Sequence, residues 1–161
     1  MVAIIASLAG CRTMYSGWES DVDGVLWRQT AEMEDRIWSE LVDLQSADDV
    51  EKLSAQPWDG VSDPSRLGIE EGAAVVYDVS VEGNAVVLSV FIASGPRPNR
   101  PTDDGDAYTG PSEIFTCFGY KGLMGVADDG DGRIIYTECP AELVALVPAD
   151  AAFATDDVFD G

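Results

Sequence analysis

The sequence predicts an α+β domain in which one long helix packs on an antiparallel sheet of about four strands, with a short helix near the C-terminal end. Three observations carry that prediction. Apolar residues recur at helical spacing between Val25 and Leu44. Two dense apolar runs, Ala74 to Val81 and Ala85 to Ala93, are separated only by Glu82, Gly83 and Asn84. The helical patterns also come before the strand patterns instead of alternating with them, which argues against a parallel sheet wound with crossover helices.

In the first helix, Leu26, Met33, Ile37, Leu41 and Leu44 form the apolar stripe, and Glu32, Glu34, Asp35, Arg36, Glu40 and Asp43 fall between them. The spacing predicts an amphipathic helix of about five turns. Trp27 and Trp38 lie on it and are expected in the core or at its edge. Ser46, followed by Ala47, Asp48 and Asp49, reads as an N-cap with acids in the first turn, where the helix dipole is positive, opening a short helix through Leu53. Pro57 and the Asp59-Gly60 and Asp63-Pro64 steps end it.

The pair of apolar runs reads as a tight hairpin, because Gly and Asn tolerate the backbone angles of a short turn. The second run is almost continuously apolar and is expected to be a central strand. Residues 94–112 contain four prolines and no periodicity, so they are expected to be a functional or mobile loop. Ile114 to Tyr120 and Arg133 to Cys139 read as two further strands around a polar turn, Asp128 to Gly132. Pro140, Ala141 and Glu142 open a short helix that Pro148 stops. The acidic, Ala-rich end with Phe153 and Phe159 either remains disordered or docks as a last strand.

A chain of 161 residues suffices for one core. The expected division is a leader over 1–10, a connector over 11–23, a single domain over 24–148 and an acidic tail over 149–161. Thirty Asp and Glu against nine Lys and Arg give a net charge of -21. Such a surface repels phosphate backbones, so no nucleic-acid partner is expected. An apolar content of 46% argues against disorder.

Met1 to Gly10 is almost wholly apolar and runs directly into Cys11. It is too short to span a bilayer, which takes about 20 residues, and has the length of a signal-peptide apolar region. Leu8, Ala9, Gly10 and Cys11 resemble the lipobox of bacterial lipoproteins. That resemblance implies cleavage before Cys11, lipid on its sulfur, and a membrane-anchored protein on the extracytoplasmic side. One departure is that no Lys or Arg precedes the apolar run. The alternative is a buried N-terminal strand, Val2 to Leu8, followed by a core cysteine. A fully extended connector of about 12 residues reaches about 40 Å, so the domain would sit close to its membrane.

The chain has no histidine, which removes the usual general base and the commonest metal ligand. Neither Lys52 nor Lys121 has a serine three residues earlier, and no phosphate-binding or dinucleotide fingerprint occurs. No cofactor is expected. Asp103, Asp104 and Asp106 are echoed by Asp128, Asp129 and Asp131 around a glycine, a composition that suits a hard cation, but neither cluster has EF-hand spacing. They read first as solvated acidic turns, and no metal is expected. Arg97, Arg100 and Tyr108 form the candidate partner contact of the long loop, the bland alternative being that both arginines pair with the excess surface acids.

With Cys11 assigned to lipid, Cys117 and Cys139 remain to form one disulfide, as suits an export compartment. In a regular hairpin that bridge sets Tyr120 opposite Tyr136 and leaves residues 122–132 mostly as loop, or calls for a bulge near Gly122 or Gly125. The expected role is a non-catalytic envelope lipoprotein binding an envelope protein or small ligand. The alternatives are an extracytoplasmic enzyme using carboxylates or Ca²⁺, and a structural spacer.

Overall fold

A computed structural model describes residues 12–53, 58, 63–126 and 132–159. Its elements are β1 (Met14–Tyr15), α1 (Ser20–Asp43), β2 (Ala74–Glu82), β3 (Ala85–Ala93), β4 (Ile114–Leu123), β5 (Gly132–Ile135), α2 (Ala141–Val144), β6 (Ala152–Ala154) and α3 (Asp156–Phe159). Short 3-10 turns occupy Ala47–Lys52, Pro64–Leu67 and Ile69–Glu71. The fold class is the α+β arrangement expected, with the long helix on one sheet.

That sheet has six strands in the order β1-β6-β4-β3-β2, with β5 also paired to β4. β2, β3, β4 and β5 pair antiparallel, whereas β6 pairs parallel with both β1 and β4. The sheet is therefore mixed, and its two additional strands come from the segments read as connector and tail. In the described part of that tail, β6 supplies Ala152, Phe153 and Ala154 to the interior, so the docking alternative holds there.

β3 explains its own composition. Val86, Leu88, Val90 and Ile92 face α1, where they meet Leu26, Met33, Ile37 and Leu41. Phe91 and Ala93 face the opposite side with Phe115, Cys117, Leu143 and Phe153. A strand covered on both faces has no polar face to show, which is why alternation is missing from it. The Phe115 ring stacks near Phe91 and meets Phe153 edge-on, with centroids 5.7 and 5.8 Å apart.

α1 begins at Ser20, five residues before the sequence pattern became apolar, and its 24 residues give a length of about 36 Å. Its stripe is buried as expected, while Trp27 and Trp38 stay 42% and 40% exposed at the edge. The expected connector is already folded where it can be described. Arg12 donates to the carbonyls of Pro148 (2.6 Å), Ala149 (3.0 Å) and Val144 (3.1 Å), and Thr13 accepts the Phe153 N–H at 2.9 Å.

Cys117 and Cys139 form a disulfide with Cα atoms 5.7 Å apart. The expected register is corrected: Tyr120 pairs with Arg133 and Phe118 with Ile135. β5 ends at Ile135, so Cys139 reaches its partner from irregular chain instead of from an opposing strand position. Tyr136 crosses Gly119 to place its hydroxyl 3.0 Å from Ser89 Oγ. A side chain at 119 would stand 2.6 Å from that hydroxyl, and the missing Cβ is what lets the segment lie over β4.

Candidate functional site

Residues 71–72 and 94–95 cross in backbone contact. Gly72 and Gly95 have φ of 92° and 70°, and a Cβ on either would lie 2.6 Å from the carbonyl oxygen of the other segment, Ser94 or Glu71. Only glycine meets both demands. The crossing directs the Gly95 N–H at Oε1 of Glu113, 3.2 Å away, just before β4 begins. Ser94 Oγ receives the next amide, that of Ile114, at 3.1 Å.

Glu113 is 1% exposed. Its second oxygen, Oε2, has no hydrogen-bond donor among the described residues. The residue lines a cleft of about 590 Å³ together with Glu70, Pro96, Ser112, Leu146, Val147 and Pro148. Burial pushes the Glu113 carboxyl up to about 7; the Gly95 N–H opposes the shift and the negative charges of Glu70 and Asp150 add to it. Asp150 itself is held below its ordinary range, chiefly by Ser112, whose hydroxyl and N–H donate to it at 2.8 and 3.2 Å.

A carboxyl raised to about 7 in a cleft partly lined by apolar side chains can hold a cationic or hydrogen-bonding ligand. It can also transfer a proton near neutral pH. No sequence cue marked Glu113, because a lone acid ahead of an apolar strand is common in so acidic a chain. Glu70 and Asp150 were equally hidden.

The predicted contact site is rearranged. Arg97 and Tyr108 do come together, but inward: the Arg97 side chain is 2% exposed and ion-paired with Asp23, itself fully buried. The guanidinium lies 5.3 and 5.0 Å from the ring centroids of Tyr15 and Tyr108. Asp23 also accepts from the Glu19 N–H at 2.6 Å and the Tyr15 hydroxyl at 3.1 Å. Burial raises the Asp23 carboxyl and both tyrosine hydroxyls above their ordinary values. Arg97 therefore pins the loop to the start of α1, as the bland alternative held in kind, although its acid is buried. Arg100 is exposed.

Asp103 is also used structurally. Its carboxylate accepts from the Ser20 N–H and hydroxyl at 3.1 and 2.7 Å, satisfying the first turn of α1. Asp104 and Asp106 are exposed in the neighbouring turn. Among the described residues no three acidic or thiol side chains are gathered for a metal ion. Asp128, Asp129, Asp131 and Cys11 lie outside the described residues.

No family model matches the chain, and neither does any curated protein or solved structure. Among the described residues no helix is long and apolar enough to cross a membrane.

Proposed function

We propose that this chain is an exported lipoprotein, held to the extracytoplasmic face of a membrane by lipid on Cys11, that binds a small ligand in the Glu113 cleft without turning it over. The observation that carries the binding role is a buried carboxyl, one oxygen of which has no donor among the described residues, lining a cleft of about 590 Å³, within the range of small-molecule sites. The lipobox resemblance supports the anchor, and the Cys117–Cys139 pair suits an oxidising compartment. Arg12 fixes the chain one residue beyond Cys11, so the tether would have almost no slack.

Mass spectrometry of the protein from its native host tests the anchor: a diacylglyceryl-modified Cys11 at the mature N-terminus is expected. An intact Met1 on a protein recovered from the cytoplasm would overturn it. A second reading, proton transfer by Glu113 in an extracytoplasmic enzyme, draws on the same carboxyl with its pKa near 7. Turnover of a candidate ligand that Glu113→Gln abolishes while binding persists would favour that reading.

A further inference from the structure

We propose that the cleft takes a small organic ammonium ion with a short apolar body, its charged head against Glu113 and its hydrocarbon against Leu146, Val147 and Pro148. The inference rests on the binding role proposed above and adds the class of ligand. Inside the cleft, Glu113 has one donor, the Gly95 N–H, and Oε2 is left without one among the described residues. The charges that act on it are the carboxylates of Glu70 and Asp150. Arg12 is the cation felt at Asp150, and its guanidinium is directed to the carbonyls of residues 144, 148 and 149. Ser112 gives its hydroxyl and N–H to Asp150, so neither is available to Glu113.

A carboxyl surrounded in this way lacks a cation more than it lacks a neutral partner. Anions are disfavoured by three acids, and a fully hydrated inorganic cation gains nothing from Leu146, Val147 and Pro148. An alkylammonium meets both kinds of lining at once: its N–H groups reach Oε2 and its chain covers Leu146, Val147 and Pro148. Because the ion binds ionised Glu113, affinity rises with pH through the carboxyl's pKa of about 7 and then levels off.

The test is an NMR titration of the folded chain at physiological salt with n-hexylammonium, n-hexanol and hexanoate, followed at the Gly95 amide. Hexylammonium should bind about tenfold more tightly at pH about 8 than at pH about 6, the ratio of ionised Glu113 at those pH values. Glu113→Gln should remove the pH dependence and most of the binding, whereas Asp104→Asn, which removes one exposed charge elsewhere, should leave both unchanged. If Glu113→Gln does not fold, Glu70→Gln at the cleft should weaken binding about twofold or more. Hexanol or hexanoate binding as well as hexylammonium, or binding insensitive to pH, would overturn the ammonium inference and leave the cleft's binding role standing. No perturbation at Gly95 by any of the three would overturn both.

Discussion

Gly95 donates its N–H to Glu113 across 3.2 Å, and it can stand there only because residue 95 has no side chain. The hydrogen bond and the glycine are one device: the backbone angle that aims the amide also brings residue 95 against Glu71. Replacing Gly95 by Ala adds a Cβ 2.6 Å from the Glu71 carbonyl oxygen in a left-handed conformation, and should cost at least about 2 kcal/mol. Gly105→Ala meets the same kind of angle, φ 86°, with no atom within 4 Å, and should cost only about 1 kcal/mol. Urea denaturation of the two variants checks the difference; equal losses would show that the crossing of 71–72 and 94–95 is not tight.

Glu113 makes stability depend on pH in a set direction. Its carboxyl ionises at about 7 in the folded protein against an ordinary 4.5, so the protonated form is the one folding favours. That contribution is fully present below about 4.5, is lost as pH rises through 7, and amounts to on the order of 3 kcal/mol at most. Glu113→Gln should therefore match the parent at pH about 4 and be more stable than it at pH about 8. A constant difference across that range in denaturant titrations would contradict the assignment.

The Arg97–Asp23 pair should behave as a buried ion pair. Removing one member strands the other charge without solvent, so Arg97→Ala should destabilise by about 3–5 kcal/mol. Arg97→Met combined with Asp23→Asn should cost clearly less than the two single changes added together, because no uncompensated charge remains. Strict additivity in a double-mutant cycle would place the two side chains out of contact.

Joining residues 22 apart, the Cys117–Cys139 bridge limits the unfolded chain and should contribute about 3 kcal/mol. Reduction, or Cys117→Ala with Cys139→Ala, should lower the melting temperature accordingly. Thiol titration of the unfolded protein, prepared without reductant, should find no free thiol at either position.

What could be read from the sequence was whatever depends on periodicity. The stripe from Leu26 to Leu44, the Glu82 to Asn84 turn and the two-faced run Ala85 to Ala93 each state their environment locally, and the long helix and central hairpin followed. The same residues gave no hint of Met14–Tyr15 or Ala152–Ala154, because strands of two and three residues are too short for a period to show. The Cys117–Cys139 pairing followed from elimination, but its register did not, since β5 ends at Ile135 and Cys139 reaches its partner from irregular chain. The cleft was illegible for a related reason: Glu70 and Glu113 are brought together by a glycine crossing that joins distant segments, and Asp150 is held beside them by Ser112. Arg97 was noticed for its chemistry and misplaced in depth, its buried acid lying 74 positions earlier.

The parallel pairing of β1 with β6 has a consequence for the order of events in folding. β6 fills the gap between β1 and β4, so Thr155 closes onto Tyr15, 140 positions earlier, before the sheet is complete. Loop closure over such a distance carries a high entropic barrier and belongs late in the process. The hairpin of β2 and β3 and its extension to β4 can assemble from contacts close in sequence, while the flank holding Arg12 waits for the last strand to arrive. A chain stopped before Ala152 would retain the hairpin and the pairing of β4 with β5, yet leave Ile114 and Phe115 at the start of β4 without a partner on that side, able to pair with another copy. Nascent protein is thus committed to its final shape only after synthesis has passed residue 154.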